Sequence, residues 1–307
     1  MSFSLIIPHH NIPDLLHRCL QSLPIRLDLQ IIVIDDGSSE DYLFAIKQIE
    51  KKFPYVEFIY SSPGKGGGFA RNLGLAAAKG DYIFFADADD FFMPCLNQFL
   101  DDIPKKKADV IYFNAISVDT DSYTVTYRSM HLHRLIQMYK KNFQKSLFEL
   151  KYSFGEPWCK MVKREMIEIF NISFEETQIH NDTRFSYLVG FFAKEIQVDQ
   201  RAVYCVTDRV NSVSKNQAPD RLITRTKVFA EANRFFKLNK IHRFDERAIR
   251  PFFCLLAKRD FKHAKMCIEI LHKTGMTSIE ILIRMLLFPF YICHKCFITL
   301  NQYKLRF

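Results

Sequence analysis

The fold is decided by residues 66–90, GGGFARNLGLAAAKGDYIFFADADD. Residues 69–79 are rich in alanine and have helical spacing, and residues 82–86, YIFFA, form a short apolar run typical of a buried strand. The run ends at three aspartates within four residues, Asp87, Asp89 and Asp90. A helix that leads into a buried strand and then into an acidic loop is typical of α/β proteins.

The same alternation extends back to the N-terminus. Strand-like runs occur at 3–7, 30–34 and 56–60, and helical spacing at 14–23 and 42–53. This order predicts a doubly wound, Rossmann-like and mostly parallel sheet, in which ligands bind at the carboxyl ends of the strands. The polar clusters that follow these strands are 8–11, 35–39 and 87–90. We therefore expect the three clusters to meet at one edge of the sheet.

The composition excludes several classes of protein. The chain has 307 residues, 48% hydrophobic and 25% charged, which excludes disorder and allows one large α/β domain with an appendage. Eight cysteines are too few for a disulfide scaffold, and the first residues lack the pattern of a signal peptide. We therefore expect reduced thiols in a cytoplasmic protein.

Charge is distributed unevenly along the chain. Residues 1–200 contain 22 basic and 26 acidic residues, whereas residues 201–307 contain 21 basic and 8 acidic ones. We predict an α/β domain over 1–215 and a basic, mainly helical extension over 216–307. Such a tail favours an anionic partner, either nucleic acid or a membrane surface. Nucleic acid is the weaker alternative, because no aromatic–basic recognition motif is present and the acidic clusters would repel it.

The loop at 62–68, SPGKGGG, has the composition of a phosphate cradle, but it matches neither the dinucleotide motif nor the P-loop motif. A flexible glycine loop close to an anion remains as the interpretation. The three neighbouring carboxylates repel one another unless a cation compensates them. Carboxylate oxygens suit a hard divalent ion such as Mg²⁺, whereas a zinc site of His and Cys is disfavoured.

Five segments together resemble family 2 glycosyltransferases with the GT-A fold. They are SLIIPHHN at 4–11, IIVIDDGSSED at 31–41, the stretch at 66–90, GEPWCKMVKRE at 155–165 and IHNDTRFSY at 179–187. The resemblance covers roughly residues 2–210. It implies metal-dependent transfer of a sugar, with inversion, from a nucleotide sugar to a hydroxyl. A UDP-sugar is the simplest donor, and a glycan or lipid-linked acceptor of a bacterial surface polysaccharide the simplest acceptor.

The resemblance also implies residues for the donor side. Asp36 matches the carboxylate that hydrogen-bonds the base, and His10 stands where relatives have a tyrosine that stacks on it. Asp87 and Asp89 match the D-x-D motif that holds Mg²⁺ or Mn²⁺ across the diphosphate, with Asp89 as the direct ligand and Asp87 on the metal or the ribose. The other donor-side residues implied are Pro8, Asn11, Gly37, Lys65 and Arg71.

On the acceptor side the resemblance implies Asp182 as the catalytic base. A carboxylate there would take the proton of the attacking hydroxyl. Relatives have Glu-Asp at this place, whereas this chain has Asn181 before Asp182, so a catalytically inactive nucleotide-sugar binder is an alternative. A helix N-cap is a second alternative for Asp182. Glu156 and Trp158 are expected to contact the acceptor, with a core tryptophan as the alternative for Trp158.

The apolar stretch 279–300 is interrupted by charges and is too short to cross a membrane, which takes about 20 apolar residues. We expect it to lie in the plane of an anionic membrane, at the inner face of the cytoplasmic membrane. The aromatic side chains expected to insert are Phe288, Phe290, Tyr291 and Phe297. The alternative is that the stretch packs on the catalytic domain and the charges are only solvated.

Overall fold

A computed structural model describes residues 1–103, 108–209 and 218–287. The chain divides into two compact units, Met1–Ser212 and Val213–Phe307. The boundary predicted between residues 215 and 216 lies outside the described residues.

The N-terminal unit is an α/β domain built on one sheet of eight strands. The strands are β1 Phe3–His9, β2 Leu29–Asp36, β3 Val56–Ser61, β4 Tyr82–Phe85, β5 Phe91–Phe92, β6 Val110–Asp119, β7 Lys160–Lys163 and β8 Ile196–Asp208. The helices are α1 Pro13–Gln21, α2 Glu40–Lys52, α3 Gly67–Ala77, α4 Leu96–Asp102, α5 Met130–Lys141, α6 Phe143–Tyr152, α7 Arg164–Ile169 and α8 Thr183–Phe192. The spatial order of the strands is β3-β2-β1-β4-β7-β6-β8-β5.

The first half of this sheet is the predicted doubly wound arrangement. Strands β3, β2, β1 and β4 are parallel neighbours, and the runs Leu5–Ile7 and Ile31–Ile34 are fully buried. A strand that is apolar on both faces is typical of a parallel sheet covered by helices on either side. The register places His9 opposite Asp35 and Asp36 opposite Ser61, so the polar residues begin where the buried strands end.

The second half of the sheet is mixed. Strand β7 is antiparallel to both β4 and β6, and β5 is antiparallel to β8, whereas β6 and β8 are parallel. The expectation of a mostly parallel sheet therefore holds for four of the seven neighbouring pairs. The strand order joins β4 to β7, so β7 brings the segment around residue 158 beside β4, the strand that precedes Asp87.

The C-terminal unit is helical in its described part. It contains α9 Pro219–Leu238, a short 3-10 helix Glu246–Ala248, α10 Arg250–Ala257 and α11 Phe261–Lys273, and residues 278–287 form α12. Phe229, Ile249, Leu271 and Ile281 belong to one buried cluster that holds α9, α11 and α12 together. Of the helices in the described ranges, none combines the length and the apolar character that crossing a bilayer would require.

Candidate active site

A cleft of about 220 Å³ opens at the carboxyl ends of β1, β2 and β4. The predicted residues that line it are Pro8, His10, Asp36, Arg71, Asp87 and Asp89, together with His9 and Gly67, which sequence analysis did not single out. The three polar clusters therefore do meet at one edge of the sheet. What each side chain does there depends on its partners.

Asp36 is bound to the glycine loop. Its buried carboxylate accepts hydrogen bonds from the backbone N–H of Lys65 at 2.9 Å and of Gly66 at 2.6 Å, and a longer one from the hydroxyl of Ser61 at 3.3 Å. Two of its acceptor positions are therefore taken by the loop. A base read by Asp36 must share this carboxylate with the loop or displace the loop from it.

Gly37 is required at its position by geometry. Its φ of +69° lies in the left-handed region, and a Cβ built there would lie 2.4 Å from the backbone nitrogen of Gly64. Any side chain would therefore be strained and would push the glycine loop away from Asp36. Gly37 therefore allows the backbone of this turn to approach the glycine loop closely.

The turn after β1 is tied to the turn after β2. Asn11 donates its N–H to the hydroxyl of Ser38 at 2.9 Å and accepts from the N–H of Ser39 at 2.9 Å. His10 is exposed, and its Nδ1 lies 3.0 Å from the carbonyl oxygen of Asp36. Asn11 thus acts on the shape of the cleft through the backbone of the next turn.

His9 and Asp35 form a buried pair that sequence analysis missed. The Nδ1 of His9 lies 2.8 Å from the Asp35 carboxylate, which also accepts from the hydroxyl of Ser38 at 2.6 Å. Burial alone would raise the pKa of Asp35, but the hydrogen bonds from His9 and Ser38 outweigh it and lower that pKa. This buried hydrogen bond to Asp35 holds His9 in place where it lines the cleft.

Arg71 lies at the centre of the site. One guanidinium nitrogen donates to Asp87 at 2.6 Å, and another donates to the side-chain oxygen of Asn181 at 3.0 Å. The side chain is largely buried and lies against the ring of Phe174. Because Arg71 contacts both Asp87 and Asn181, it joins the end of β4 to the start of α8, where Asp182 is found.

Asp89 is paired with an arginine that follows another strand of the same sheet. Arg209, directly after β8, contacts its carboxylate at 2.7 Å, and Arg18 donates to its backbone carbonyl at 2.6 Å. Burial and then the charge of Asp87 raise the pKa of Asp89, while Arg209 opposes the shift. Even with Arg209 beside it, the carboxylate is costly to ionise, and a further cation would reduce that cost.

Asp90 does not line the cleft. It is fully buried and accepts hydrogen bonds from the hydroxyl of Tyr204 at 2.9 Å and the N–H of Thr207 at 2.6 Å. Burial and the charges of Asp89 and Asp87 raise its pKa well above the ordinary value. Asp90 fastens the acidic loop to β8.

The acidic loop has the donor set of a hard divalent ion. Oxygens of Asp87, Asp89 and Asp90 lie within 4.8 Å of one another. Asp90 is committed to β8, so Asp87 and Asp89 are the two carboxylates that could ligate. Mg²⁺ is commonly held by one or two carboxylates plus substrate phosphates, and this pair fits that pattern.

Asp182 occupies the N-cap of α8, but its side chain makes no capping hydrogen bond. Burial, above all, raises the pKa of Asp182 to about 6, with Glu156 and Asp87 adding to the shift and Arg71 opposing it. A carboxylate with a pKa near neutrality is suited to exchange a proton. The helix-cap alternative therefore accounts for the position of Asp182 but not for its side chain.

The segment before β7 lies beside Asp182. Glu156 is half-buried and is close enough for its charge to act on the pKa of Asp182. Trp158 is only 4% exposed, and its ring stacks on Tyr204 and meets Phe154 edge-on. The predicted open face for a sugar ring is therefore absent, and Trp158 takes the alternative role of a core residue.

Lys65 and Lys160 have opposite surroundings. Lys65 is exposed, lies over the ring of Phe69 and does not line the cleft. Lys160 is fully buried and donates to the carbonyl of Phe154 at 3.1 Å and to the hydroxyl of Ser186 at 2.8 Å. Lys160 therefore holds the segment of Glu156 against α8, a role that sequence analysis did not assign.

Four residues that shape the site, Arg18, Arg209, Tyr204 and Lys160, were not found from the sequence. The first three stand alone in stretches without a motif, so no local pattern marks them. Lys160 was within the quoted segment at 155–165, and a lysine between Cys159 and Met161 in an apolar run was the signal that could have found it.

We predict that Lys160→Met removes a pH dependence of stability. Burial lowers the pKa of Lys160 to about 7, whereas an unfolded lysine has a pKa of about 10.4. Between these values the unfolded chain binds a proton that the folded chain lacks, so the wild type gains stability relative to the variant as the pH rises. The gain is at most about 1.4 kcal/mol per pH unit, measured by urea unfolding of both proteins at about pH 7.5 and about pH 9.5.

Lys163→Met is the matched control. Lys163 is on the same strand, is only half-buried and is paired with Glu165 at 2.6 Å, and this hydrogen bond raises its pKa. The difference in the free energy of unfolding between Lys163→Met and the wild type should stay constant over the same pH range. A constant difference for Lys160→Met as well would show that Lys160 keeps an ordinary pKa.

Comparison with known proteins gives the family. The family model described as "Glycosyl transferase family 2" matches residues 4–170. The putative glycosyltransferase EpsH of Bacillus subtilis is 27% identical over 222 residues, which are 68% of this chain and 62% of EpsH. The poly(ribitol-phosphate) beta-glucosyltransferase of Bacillus spizizenii is 38% identical over 96 residues, 30% of this chain and 15% of that protein. The chain thus spans less than two thirds of the length of these relatives.

Solved structures give the fold. Residues 1–349 of S. aureus TarS, solved with UDP-GlcNAc, align at a TM-score of 0.65 and 19% identity, covering 89% of this chain and 80% of that one. The mannosyltransferase PcManGT of Pyrobaculum calidifontis, solved with GDP-Man and Mn²⁺, aligns at a TM-score of 0.54 and 13% identity, covering 98% and 84%. The N-terminal unit has the GT-A fold, and the chain belongs to glycosyl transferase family 2.

Proposed function

We propose that this chain is an inverting glycosyltransferase that moves a sugar from a UDP-linked donor to a hydroxyl of a glycan or lipid-linked acceptor in surface polysaccharide biosynthesis. The observation that carries the proposal is Asp182, a half-buried carboxylate with a pKa raised to about 6 and no capping bond, whose neighbour Asn181 is linked through Arg71 to the acidic loop. The relatives support the donor class, since TarS binds UDP-GlcNAc and PcManGT binds GDP-Man.

On the donor side, Asp36 and His10 would bind the base, and Asp87 and Asp89 would hold Mg²⁺ or Mn²⁺. That ion, when bound, supplies positive charge to the leaving diphosphate. The Mn²⁺ in the PcManGT structure and the two carboxylates that could ligate here support a divalent ion. Pro8 would line the donor site, and Asn11 and Gly37 would shape it through the turns that they hold in place. Lys65 stays a predicted donor contact, on the glycine loop outside the cleft.

At the acceptor side, Asp182 would accept the proton of the attacking hydroxyl as the new bond forms. Glu156, whose charge acts on Asp182, would hydrogen-bond acceptor hydroxyls, and Arg71 would favour the ionised form of Asp182 by opposing the effect of burial on its pKa. Trp158 is left out of this proposal because its ring is packed in the core.

We expect Asp89→Ala to abolish metal-dependent donor binding without loss of folding. Burial beside Asp87 disfavours the ionised form of Asp89, so its removal relieves repulsion that offsets the lost contact with Arg209. The measurement is the rise in melting temperature on adding UDP with and without Mn²⁺, together with product formation. Asp121→Ala, which removes an exposed carboxylate from the same unit, is the control. An Asp89→Ala protein that transfers sugar at the wild-type rate would refute the metal assignment.

We expect Asp182→Asn to lower transfer by about 10²–10⁴-fold while donor affinity stays nearly unchanged. In the wild type, transfer should fall as the pH drops below about 6, because protonated Asp182 cannot accept the proton. Product formation over a pH series and donor titration on the same samples test both statements. Loss of donor affinity in the variant would place Asp182 in the donor site instead.

We also propose that the protein is cytoplasmic and binds peripherally to the inner face of the cytoplasmic membrane. The 21 basic against 8 acidic residues over 201–307 support this. The aromatic residues expected to insert, between 288 and 297, lie outside the described residues. Flotation with anionic and neutral vesicles at low and high salt tests the proposal, and recovery in the soluble fraction under every condition would contradict it.

A further inference from the structure

The C-terminal unit contains a cavity of about 660 Å³ whose wall is strongly basic. This volume is in the range of small-molecule binding sites. One carboxylate, that of Glu280, faces it. The basic residues that line it are Arg234, Lys237, Lys240, His242, Arg243 and Arg284.

The wall of this cavity is held in place before any ligand arrives. Asn233 on α9 exchanges two hydrogen bonds with the backbone of Asp245, at 3.1 Å and 2.6 Å, which fixes the loop after α9. Arg284 on α12 contacts Glu246 at 3.2 Å and lies 4.1 Å from the centre of the Phe244 ring. The loop after α9 and the side chain of Arg284 are therefore ordered before a ligand binds, which lowers the entropic cost of binding.

Positive charge remains in excess after these contacts. Lys237 is paired with Glu280 at 2.7 Å, whereas the carboxylate of Asp245 is shared between Arg243 and Arg247. Within the described part of the unit, Lys240 has no carboxylate at ion-pairing distance. An anion is thus the ligand that complements this wall, and guanidinium groups match the oxygens of a phosphate.

An exposed apolar stripe lies on the helix that forms one side of the cavity. Its members, all on α12 and all at least 49% exposed, are Ile279, Leu282, Ile283, Leu286 and Leu287. Ile281 and Met285 on the same helix pack on the core, and Glu280 and Arg284 face the cavity. At 100° per residue the stripe covers the side away from the core and borders the cavity side.

We propose that the cavity binds the phosphate of an anionic phospholipid headgroup while the α12 stripe contacts the apolar layer beneath it. A basic site next to an exposed apolar helix face matches a lipid, which has a phosphate next to acyl chains. This inference rests on the proposed membrane association and names the residues that carry it. A second copy of the chain would cover the stripe but would leave the cavity without an anion.

The test compares two variants that each remove two positive charges from the C-terminal unit. Arg234→Gln/Lys240→Asn removes exposed charges from the cavity, and Lys262→Gln/Lys265→Gln removes exposed charges from α11, away from it. Each full-length protein is titrated with vesicles of phosphatidylcholine alone and of phosphatidylcholine mixed with phosphatidylglycerol. We expect binding to the mixed vesicles only, and about tenfold weaker binding for the cavity variant than for the α11 variant.

A soluble probe separates the cavity from general attraction to a surface. Monomeric dihexanoyl phosphatidylglycerol, titrated by calorimetry with EDTA present so that the D-x-D site holds no metal, should bind the wild type and the α11 variant but not the cavity variant. The variant Leu282→Ser/Leu286→Ser should still bind the soluble probe but should no longer bind the vesicles.

Equal weakening of vesicle binding in both charge variants, or no binding of the soluble probe to the wild type, would overturn the inference. Dimerisation of the wild type that is lost in Leu282→Ser/Leu286→Ser, with vesicle binding retained, would overturn it too. Wild-type protein that never binds vesicles would instead refute the membrane association itself. Donor binding, measured on the same proteins, should be unchanged, because the altered residues are all in the C-terminal unit.

Discussion

The crowding of carboxylates at one edge of the sheet is the constraint on which the rest of the site depends. Each of them has a different partner: backbone N–H groups for Asp36, Arg71 for Asp87, Arg209 for Asp89, and Tyr204 with Thr207 for Asp90. Arg71 differs from the other partners because it contacts two segments, through Asp87 and Asn181. The geometry of the acidic loop and that of the proposed base are therefore coupled through one guanidinium group.

The crowding of these carboxylates lowers the stability of the folded state. The pKa of Asp182 is raised to about 6, so the unfolded chain releases its proton at lower pH than the folded chain does. Between the two pKa values stability falls as the pH rises, and above about pH 6 the full cost, on the order of 2–3 kcal/mol, is present. Asp89 and Asp90 have raised pKa values and contribute in the same direction. Carboxylates placed for folding alone would be exposed or paired more completely, which supports a functional reason for the cluster.

The sequence predicted the strands and helices that local sequence patterns specify. Buried apolar runs and helical spacing identified β1 to β4 with α1 to α3, and the rule that ligands bind at strand ends brought the cleft residues together. The antiparallel partners β7 and β5 were not predicted, because strands of two to four residues carry little periodicity. Trp158 could not be assigned, since only the tertiary packing of Tyr204 and Phe154 shows that its ring is covered. Arg209 and Asp89 are 120 positions apart, so nothing local predicts that pair.

Asn181, where the family pattern has an acid, is compatible with the proposed role of Asp182 as a base. Its side-chain oxygen accepts from Arg71 as a carboxylate would, so the link between the segments is kept. A carboxylate at 181 would add a like charge next to Asp182 and would raise the pKa of Asp182 further, while drawing the charge of Arg71 toward itself. With an amide there, the charge of Arg71 is shared between Asp87 and Asp182, and it opposes the shift that burial causes. The departure from the family pattern therefore favours an ionisable Asp182, which is the state that a general base needs, over an inactive site.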